Sequence, residues 1–296
     1  MDNLLNSEQL SKNEIEEILQ KAESFLNYRG DDLKGKVLAA LFYEPSTRTR
    51  LSFETAMHRL GGSVISVTDV GASSIAKGES LDDTARVVSR FADVIAVRHP
   101  DAGSAHIFAD NSEVPVINAG DGAGQHPTQA LLDMFTIQKE IGKFDGLKVV
   151  MTGDLRYGRC PNSLAYMLAN YDVEFVFVSP PELKMKPEVK EFLDEKGIKF
   201  EETEDFKEGI KDADVLYCTR IQQERFADSQ EYENLKDVYI LNKKLVEELC
   251  PNAIIMHPLP RVHEISHDVD EMENAKYFKQ VEYGVAVRMA LLTLLT

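Results

Sequence analysis

Cysteines, basic residues and long apolar runs are all scarce in this sequence, and each scarcity excludes a class of protein. The three cysteines, Cys160, Cys218 and Cys250, form no C-x-x-C pair, and no histidines stand at metal-ligand spacing. A disulfide framework or a structural metal site is therefore not expected. No apolar run reaches the roughly 18 residues of a membrane span, and no basic segment precedes an apolar block at the N-terminus. We expect an unexported, cytoplasmic protein with reduced cysteines, no metal and no membrane partner.

The charge balance narrows the possible partners further. Fifty acidic residues against thirty-three basic ones give a formal net charge of −17, which opposes binding to nucleic acid. The arginines are nevertheless concentrated in a few short polar segments, at Arg48, Arg50, Arg98, Arg159, Arg220 and Arg225. A locally positive cleft on an acidic body suits a small anionic substrate.

Hydrophobic periodicity predicts an α/β protein of two domains. Strand-like and helical runs alternate from Lys36 to Ile141 and resume after Gly142, which is typical of parallel sheets with helices on both faces. The length of 296 residues fits about two domains of roughly 150 residues each. The predicted strands are Val37–Phe42, Val64–Val67, Val94–Val97, Val114–Asn118, Leu147–Met151, Glu174–Val178, Val215–Tyr217 and Ile254–Met256. A long helix, 127–141, is expected to join the two domains.

The segment Phe42–Arg50 links the first of these strands to a helix that Gly61 and Gly62 end. The first turn of a helix has unpaired N–H groups at the positive end of its dipole. Hydroxyl and guanidinium donors in Ser46–Thr49 and Arg50 add to them, so the segment has the chemistry of a phosphate site. The alternative is an ordinary serine cap with solvated arginines.

Five other polar segments also follow predicted strands, where ligands bind in open parallel sheets. They are 98–100, 120–129, 153–159, 219–225 and 257–261. The spacing of 153–159 is that of a P-loop, but Arg159 and Cys160 replace its lysine and its magnesium-binding hydroxyl, which argues against a nucleotide kinase. Taken singly, His126 is also compatible with a helix cap, 219–225 with a salt-bridged surface loop, and 257–261 with a proline-stiffened turn.

Together these segments resemble the aspartate and ornithine carbamoyltransferase family. The resemblance is carried by residues 42–60, 94–100, 116–135, 152–159, 217–225 and 255–265, and so spans nearly the whole chain. It implies two domains, each a parallel sheet flanked by helices, with the active site in the cleft between them. Residues 1–133 would be the carbamoyl-phosphate-binding domain, on which a C-terminal helix 284–296 packs, and residues 134–283 the aspartate-binding domain.

The resemblance also implies a role for each matching residue. Phosphate would be held by Ser46, Thr47, Arg48 and Lys77, and the carbonyl oxygen polarised by Thr49, Arg98 and His126, with Gln129 on the same substrate. The backbone oxygens of Leu259 and Pro260 would hold the carbamoyl amino group. The aspartate carboxylates would be bound by Arg159, Arg220 and Gln222. Ser74 and Lys77 would be donated by a neighbouring subunit.

The implied reaction transfers the carbamoyl group of carbamoyl phosphate to the amine of L-aspartate, giving N-carbamoyl-L-aspartate and phosphate in pyrimidine biosynthesis. No cofactor is implied, and the implied assembly is a homotrimer with shared active sites, with regulatory chains as an open question. Two arginines for two carboxylates favour a dicarboxylate, and Pro258 stands where ornithine-specific relatives have cysteine. The alternatives are another amine acceptor, such as ornithine, and a non-catalytic anion-binding protein on the same fold.

Overall fold

A computed structural model describes residues 1–68, 74–223, 226 and 229–296. The chain divides into two units. Unit 1 comprises Met1–Phe135 and Val281–Thr296, and unit 2 comprises Thr136–Gln280. Both boundaries fall within helices, Pro127–Ile141 and Tyr277–Leu295, so each of these helices has residues in both units.

Unit 1 is built on a four-stranded parallel sheet with the order β2-β1-β3-β4. The strands are β1 Val37–Phe42, β2 Ser63–Val67, β3 Val94–His99 and β4 Val116–Asp121. The helices are α1 Lys12–Ser24, α2 Thr47–Arg59, α3 Leu81–Val88, α4 Ser104–Asn111, the first part of α5 Pro127–Ile141, and the last part of α11 Tyr277–Leu295. Strands β1, β3 and β4 are almost wholly buried, as strands covered on both faces are, whereas the edge strand β2 is not.

Unit 2 contains a five-stranded parallel sheet with the order β7-β6-β5-β8-β9. The strands are β5 Leu147–Thr152, β6 Val173–Val178, β7 Lys199–Thr203, β8 Val215–Cys218 and β9 Ile254–Met256. The helices α6 Arg159–Leu168, α7 Pro187–Glu195, α8 Phe206–Gly209, α9 Ser229–Leu235 and α10 Lys243–Leu249 complete it. One face of this sheet packs in a continuous apolar cluster with residues of α10 and of the segment 265–277.

Strand order reverses once in each sheet, and the reversal locates the ligand-binding crevices. In unit 1 the chain leaves β1 toward β2 on one side, and β3 lies on the other. In unit 2 the same relation holds for β5, with β6 on one side and β8 on the other. Crevices form at the carboxyl ends of strands at such switch points. The predicted segments that follow β1, β3, β5 and β8 therefore lie at the two reversals.

The predicted fold class is confirmed, but several predicted elements were incomplete. Strand β7 was missed because it is an exposed edge strand, and charged residues occupy three of its five positions. The short helices α8, α9 and α10 were also missed. Strand β4 begins two residues later than predicted, and α11 begins at Tyr277, well before the predicted start.

Gly153, directly after β5, lies where the loop after β5 meets the loop after β8. Its φ is +110°, and a Cβ atom there would lie 2.1 Å from the carbonyl oxygen of Thr219. Gly197 also has a positive φ, +70°, but a Cβ atom there would have nothing within 4 Å. A side chain at Gly197 would therefore cause backbone strain alone, whereas one at Gly153 would cause backbone strain and a steric clash.

We expect Gly197→Ala to lower the free energy of unfolding by roughly 1 kcal/mol, which is the cost of a side chain at positive φ. Gly153→Ala should lower it by about 3 kcal/mol or more, because a backbone carbonyl must also move. Urea denaturation of the two variants, with the wild-type protein as reference, measures the difference. Equal losses would contradict the steric role of Gly153.

Candidate functional site

The turn from β1 into α2 presents the predicted anion site of unit 1. Ser46 is the N-cap of α2, but its side chain makes no cap hydrogen bond, and the first turn contains no acidic residue. Thr47 and Arg48 are exposed, whereas Thr49 is buried. The ordinary serine-cap alternative is therefore not what the structure shows, since the serine hydroxyl does not cap the helix.

The structure brings together two residues that are far apart in the sequence, Thr49 and His126. Thr49 Oγ1 lies 3.4 Å from His126 Nε2, and both side chains are buried. His126 immediately precedes α5, and its backbone oxygen accepts the N–H groups of Gln129 and Ala130. His126 thus occupies the cap position by its backbone while its ring faces the first turn of α2.

The loop that carries His126 is held against the end of β3. Gly122 has a φ of +51°, and a Cβ atom there would lie 2.2 Å from the carbonyl oxygen of Pro100. The Gly122 N–H donates to the His99 carbonyl oxygen at 2.8 Å. Asp121 accepts hydrogen bonds from the N–H groups of Gly103, at 2.7 Å, and Gln125, at 2.8 Å. Only glycine fits at position 122, and the sequence analysis gave no role to Asp121.

Arg98, at the end of β3, pairs with a carboxylate that the sequence analysis did not identify. Its Nη2 atom lies 2.8 Å from Glu44 Oε2, in the turn after β1. The neighbouring His99 is buried, and burial lowers its pKa, so it is neutral near pH 7. Its Nδ1 atom accepts the Asp101 N–H at 3.0 Å. Arg98 therefore carries the charge of this segment, and His99 is structural.

The side chain of Gln129 is held by a buried carboxylate on the same helix. Its Nε2 atom donates to Asp133 Oδ1 at 2.8 Å, one turn further along α5, and Asp133 is fully buried. A carboxylate accepts only, so it engages the amide nitrogen and leaves the amide oxygen of Gln129 to accept from a ligand. The side chain is thereby oriented to bind a donor such as an amino group.

The remaining predicted residue pair of unit 1 lies in a short 3₁₀ helix, Ser74–Lys77, before α3. Both Ser74 and Lys77 are exposed. Ser80 caps α3 by accepting the Asp83 N–H at 3.3 Å. The prediction that Ser74 and Lys77 serve a neighbouring subunit stays a prediction.

Asp154 organises the predicted carboxylate site of unit 2. Its Oδ1 atom accepts the Tyr157 N–H at 2.8 Å, and its Oδ2 atom accepts the Gln222 N–H at 3.4 Å. Its own N–H donates to Thr219 Oγ1 at 3.1 Å. One fully buried carboxylate thus ties the loop after β5 to the loop after β8. Asp154 lies within the polar segment 153–159, but the sequence pattern alone did not indicate this role.

The three predicted carboxylate-binding residues lie on these two loops. Arg159 is the first residue of α6, after Gly158, whose N-cap position has no side-chain bond. Arg220 and Gln222 follow β8, and all three side chains are half-buried. Burial raises the pKa of Asp154, and backbone hydrogen bonds and the charge of Arg220 oppose that rise, so the charge of Arg220 acts on this carboxylate. Arg225 lies outside the described residues.

A histidine holds the loop that follows β9. His257 is buried, its Nδ1 atom accepts the Leu259 N–H at 2.8 Å, and its Nε2 atom lies 2.7 Å from Glu264. The other Glu264 oxygen accepts the N–H groups of Val262 and His263. Burial acts to raise the pKa of Glu264, but the hydrogen bond and charge of His257 together with backbone N–H bonds outweigh it, and the pKa is lowered. With both ring nitrogens engaged within the loop, His257 fixes the backbone of Leu259 and of Pro260 beside it.

The structure also bears on the cysteines. Cys218 and Cys250 are buried, and burial raises the pKa of the Cys250 thiol to about 11 and that of Cys218 well above its usual value. Buried neutral thiols are weak nucleophiles, so these two pack in the core of unit 2. Among residues 1–68, 74–223, 226 and 229–296 there is no group of three or more His, Cys, Asp or Glu side chains able to hold a metal ion. Across the same residues, no helix has the length and apolarity to cross a membrane.

Two family descriptions match the chain in succession. Residues 2–139 match "Aspartate/ornithine carbamoyltransferase, carbamoyl-P binding domain", and residues 145–295 match "Aspartate/ornithine carbamoyltransferase, Asp/Orn binding domain". The aspartate carbamoyltransferase catalytic subunit of Methanocaldococcus jannaschii is 54% identical over 298 residues, covering 99% of this chain and 97% of that protein. The subunit of the same name from Thermococcus gammatolerans is 53% identical, covering 96% of this chain and 94% of that protein.

Solved structures give the same result. The catalytic subunit of M. jannaschii aspartate transcarbamoylase matches with a TM-score of 0.92 and 53% identity, covering all of this chain and 98% of that one. Aspartate transcarbamoylase from Trypanosoma cruzi, in complex with carbamoyl phosphate and aspartate, matches with a TM-score of 0.93 and 36% identity, covering 99% and 96%. The enzyme from that organism has also been solved with N-(phosphonacetyl)-L-aspartic acid.

The burial of Asp154 can be tested through the pH dependence of protein stability. Burial raises its pKa above the ordinary 3.8, so the folded protein binds this proton more tightly than the unfolded chain does. Stability from this group therefore falls as pH rises from about 4 through the folded pKa. We expect the thermal midpoint of the wild-type protein, minus that of Asp154→Asn, to decrease between about pH 4 and pH 7.

Asp93 provides a control of opposite sign. Burial acts to raise its pKa, but hydrogen bonds from the Val37 N–H and from Lys36 prevail and hold the pKa below 3.8. Its stabilising contribution is complete above about pH 4 and is lost only at lower pH. The corresponding difference for Asp93→Asn should stay flat between about pH 4 and pH 7. A rising difference for Asp154→Asn would contradict the assignment.

Proposed function

The chain belongs to the aspartate/ornithine carbamoyltransferase family, and from that premise we propose that it transfers the carbamoyl group of carbamoyl phosphate to L-aspartate. The products are N-carbamoyl-L-aspartate and phosphate. The observation that carries this proposal is the buried contact of Thr49 with His126 at the N-terminus of α2, where a carbonyl oxygen beside a phosphate would be received. The relatives of 52% to 54% identity bear the name of this activity.

In the proposal, unit 1 binds carbamoyl phosphate. Backbone N–H groups at the start of α2 and the donors of Ser46, Thr47 and Arg48 hold the phosphate, because an anion is stabilised at the positive end of a helix. Thr49, Arg98 and His126 polarise the carbonyl oxygen. Gln129, with its amide nitrogen held by Asp133, turns its oxygen to the carbamoyl amino group.

Unit 2 binds L-aspartate in the same proposal. Arg159 and Arg220 bind the two carboxylates, since a guanidinium forms two parallel charge-assisted bonds to a carboxylate. Gln222 adds a further contact, and Asp154 fixes the two loops that carry these side chains. The backbone oxygens of Leu259 and Pro260 receive the carbamoyl amino group. In this proposal the residues of unit 1 bind carbamoyl phosphate and the arginines of unit 2 bind L-aspartate, the two substrates of one reaction.

The chemical step is a direct transfer. The aspartate amine attacks the carbamoyl carbon, a C–N bond forms, and the C–O bond to phosphate breaks as the amine proton passes to the departing phosphate. Negative charge develops on the carbonyl oxygen, and fixed donors stabilise it there. One such donor lowers the activation barrier by roughly 2.7–4 kcal/mol. The reaction needs no cofactor, and the remaining contribution is positioning. We place it in cytosolic pyrimidine biosynthesis.

The direct test is product formation from carbamoyl phosphate with aspartate and ornithine supplied side by side. We expect N-carbamoyl-L-aspartate and no citrulline, because Arg159 and Arg220 are matched to carboxylates. Citrulline alone would establish the ornithine alternative. Binding of both substrates without any product would instead indicate a non-catalytic anion-binding protein.

The division of labour between the units is tested by two arginine variants. Arg48→Ala should abolish carbamoyl phosphate binding in calorimetry, because the helix N-terminus alone cannot replace two charged hydrogen bonds to a dianion. Arg220→Lys should raise the KM for aspartate sharply and leave carbamoyl phosphate affinity nearly intact, since lysine lacks the planar fork. The exposed Arg90, paired with Glu113, provides a matched control as Arg90→Ala. Equal damage to both substrates by Arg220→Lys would refute the division.

We further propose a homotrimer in which Ser74 and Lys77 complete the site of the neighbouring subunit, with regulatory chains able to join the catalytic trimer. Support comes from the exposure of the 3₁₀ helix that carries both residues and from the catalytic-subunit naming of the relatives. In such a trimer every site combines Arg48 of one chain with Lys77 of the next.

Subunit mixing tests the shared site. Arg48→Ala and Lys77→Ala are each expected to be inactive, and hybrid trimers of the two contain some sites with both changes and others with neither. Dissociation and reassembly of the mixture should therefore restore part of the wild-type activity. Hybrids that form, as ion-exchange chromatography would show, but stay inactive would mean that Lys77 serves its own chain.

A further inference from the structure

A buried arginine lies behind the carbonyl-polarising residues of unit 1. Arg288, on α11, is 3% exposed. Its Nη1 atom donates to Ser52 Oγ at 3.1 Å and to the Gly284 carbonyl oxygen at 3.2 Å. Its Nη2 atom donates to Thr128 Oγ1 at 3.4 Å, and the guanidinium carbon lies 5.1 Å from the centre of the Phe53 ring. One side chain therefore joins α2, the start of α5, and α11.

This arginine is charged in spite of its burial. Burial lowers its pKa to about 10, and the charge of Asp133 acts in the opposite direction. The group is therefore protonated near pH 7. A buried charge is costly unless it is compensated, and it is rarely the most stable solution for packing alone. The hydrogen bond from Arg288 to Thr128 indicates a role for this charge beyond packing.

Thr128 lies between Arg288 and His126. The hydroxyl is fully buried, 3.4 Å from Arg288 Nη2 and 3.4 Å from His126 Nδ1. Arginine can only donate, so the Thr128 oxygen accepts from it. The oxygen has a second lone pair, but the bond from a cationic donor polarises the hydroxyl and favours its proton as the next donor, so we take His126 Nδ1 as the acceptor. A neutral histidine whose Nδ1 accepts carries its proton on Nε2.

We propose that Arg288 and Thr128 are positioning residues that fix His126 in the tautomer with the proton on Nε2. That nitrogen is the one that faces Thr49, so the fixed tautomer presents an N–H donor where the carbonyl oxygen of the substrate is received. Without the pair, His126 would divide between two tautomers, and one of them presents a lone pair to that oxygen. The inference deepens the proposed function and rests on it for the identity of the ligand.

A second route leads from the same arginine to the same substrate. Asp133, whose charge acts on Arg288, also accepts the amide nitrogen of Gln129 at 2.8 Å. In the latter bond the Asp133 oxygen accepts, so the amide oxygen of Gln129 remains to accept from a ligand. Arg288 thus lies beside the partners of two substrate-facing side chains, His126 and Gln129.

Gly284 makes room for this arrangement. A Cβ atom there would lie 2.7 Å from Arg288 Nη1 and 3.0 Å from Leu132 Cδ2, so any side chain displaces the guanidinium. Alanine in the middle of a helix otherwise stabilises by about 1 kcal/mol relative to glycine. Gly284→Ala therefore disturbs the relay without removing a charge or weakening the helix.

The test reads the tautomer directly. In the full-length, ligand-free protein labelled with 15N-histidine, long-range 1H–15N spectra distinguish protonated from unprotonated ring nitrogens, and His126→Asn identifies the signals. We expect the wild-type His126 to be protonated on Nε2 alone. Thr128→Val and Gly284→Ala should show Nδ1 protonation, Thr128→Ser should restore the wild-type pattern, and Thr136→Val, a buried threonine on the same helix, should leave it unchanged.

Kinetics give the second readout. We expect Thr128→Val to lower kcat with little change in the KM for aspartate, by roughly ten- to a hundredfold if the effect matches that of removing the partner that orients a metal-binding histidine. Thr128→Ser should recover most of the loss. An Nε2-only tautomer that survives in both Thr128→Val and Gly284→Ala would overturn the relay. Absence of carbamoyl transfer by the wild-type protein would instead refute the proposed function and leave the tautomer result standing.

Discussion

The reversal of strand order in each sheet is the constraint on which the functional site depends. A crevice forms at the carboxyl ends of two adjacent strands when the connections that follow them run to opposite sides. The pairs β1 with β3 and β5 with β8 are such strands. Every residue with a predicted substrate role in unit 1, other than Ser74 and Lys77, lies at or beyond the carboxyl end of a strand of the first sheet, and those of unit 2 follow a strand of the second. Close approach then fixes the loops: Gly122 and Gly153 bring backbone within contact distance of Pro100 and Thr219. Position in the fold, rather than local sequence, gives these loops their chemistry.

Buried ionisable groups then convert loop positions into defined geometry. Asp154 joins two loops through backbone N–H groups, Asp121 does the same around β4, and Arg288 connects two helices of unit 1 to α11. Each is buried next to residues that face substrate in the proposed reaction. Exposed pairs such as Arg90 with Glu113 contribute little by comparison, because solvent screens them. The costly charges of this protein are thus concentrated where orientation matters.

The sequence was sufficient for the fold class and for most of the strands, because buried parallel strands are continuous apolar runs that stand out against polar loops. It was insufficient where burial is partial, as at β7, or where elements are short, as in α8 to α10. The same limit applies to the site. The types of residue in 46–49, 98 and 126 predict anion chemistry, and the contact of Thr49 with His126 brings two of these segments together. Glu44, Asp154, Thr128 and Arg288 could not be identified, because their roles arise from contacts between segments that are distant in the chain.

The pairing of Arg98 with Glu44 has a consequence for selectivity. A guanidinium only 12% exposed already has a carboxylate counterion at 2.8 Å, so the cation is neutralised before any ligand arrives. In the proposed reaction Arg98 polarises an uncharged carbonyl oxygen, and a guanidinium has five N–H donors, so the bond to Glu44 need not break when substrate binds. The carboxylate fixes the direction of the guanidinium before substrate arrives. Its negative charge also lowers the positive potential at this position, which weakens the attraction of free small anions to Arg98.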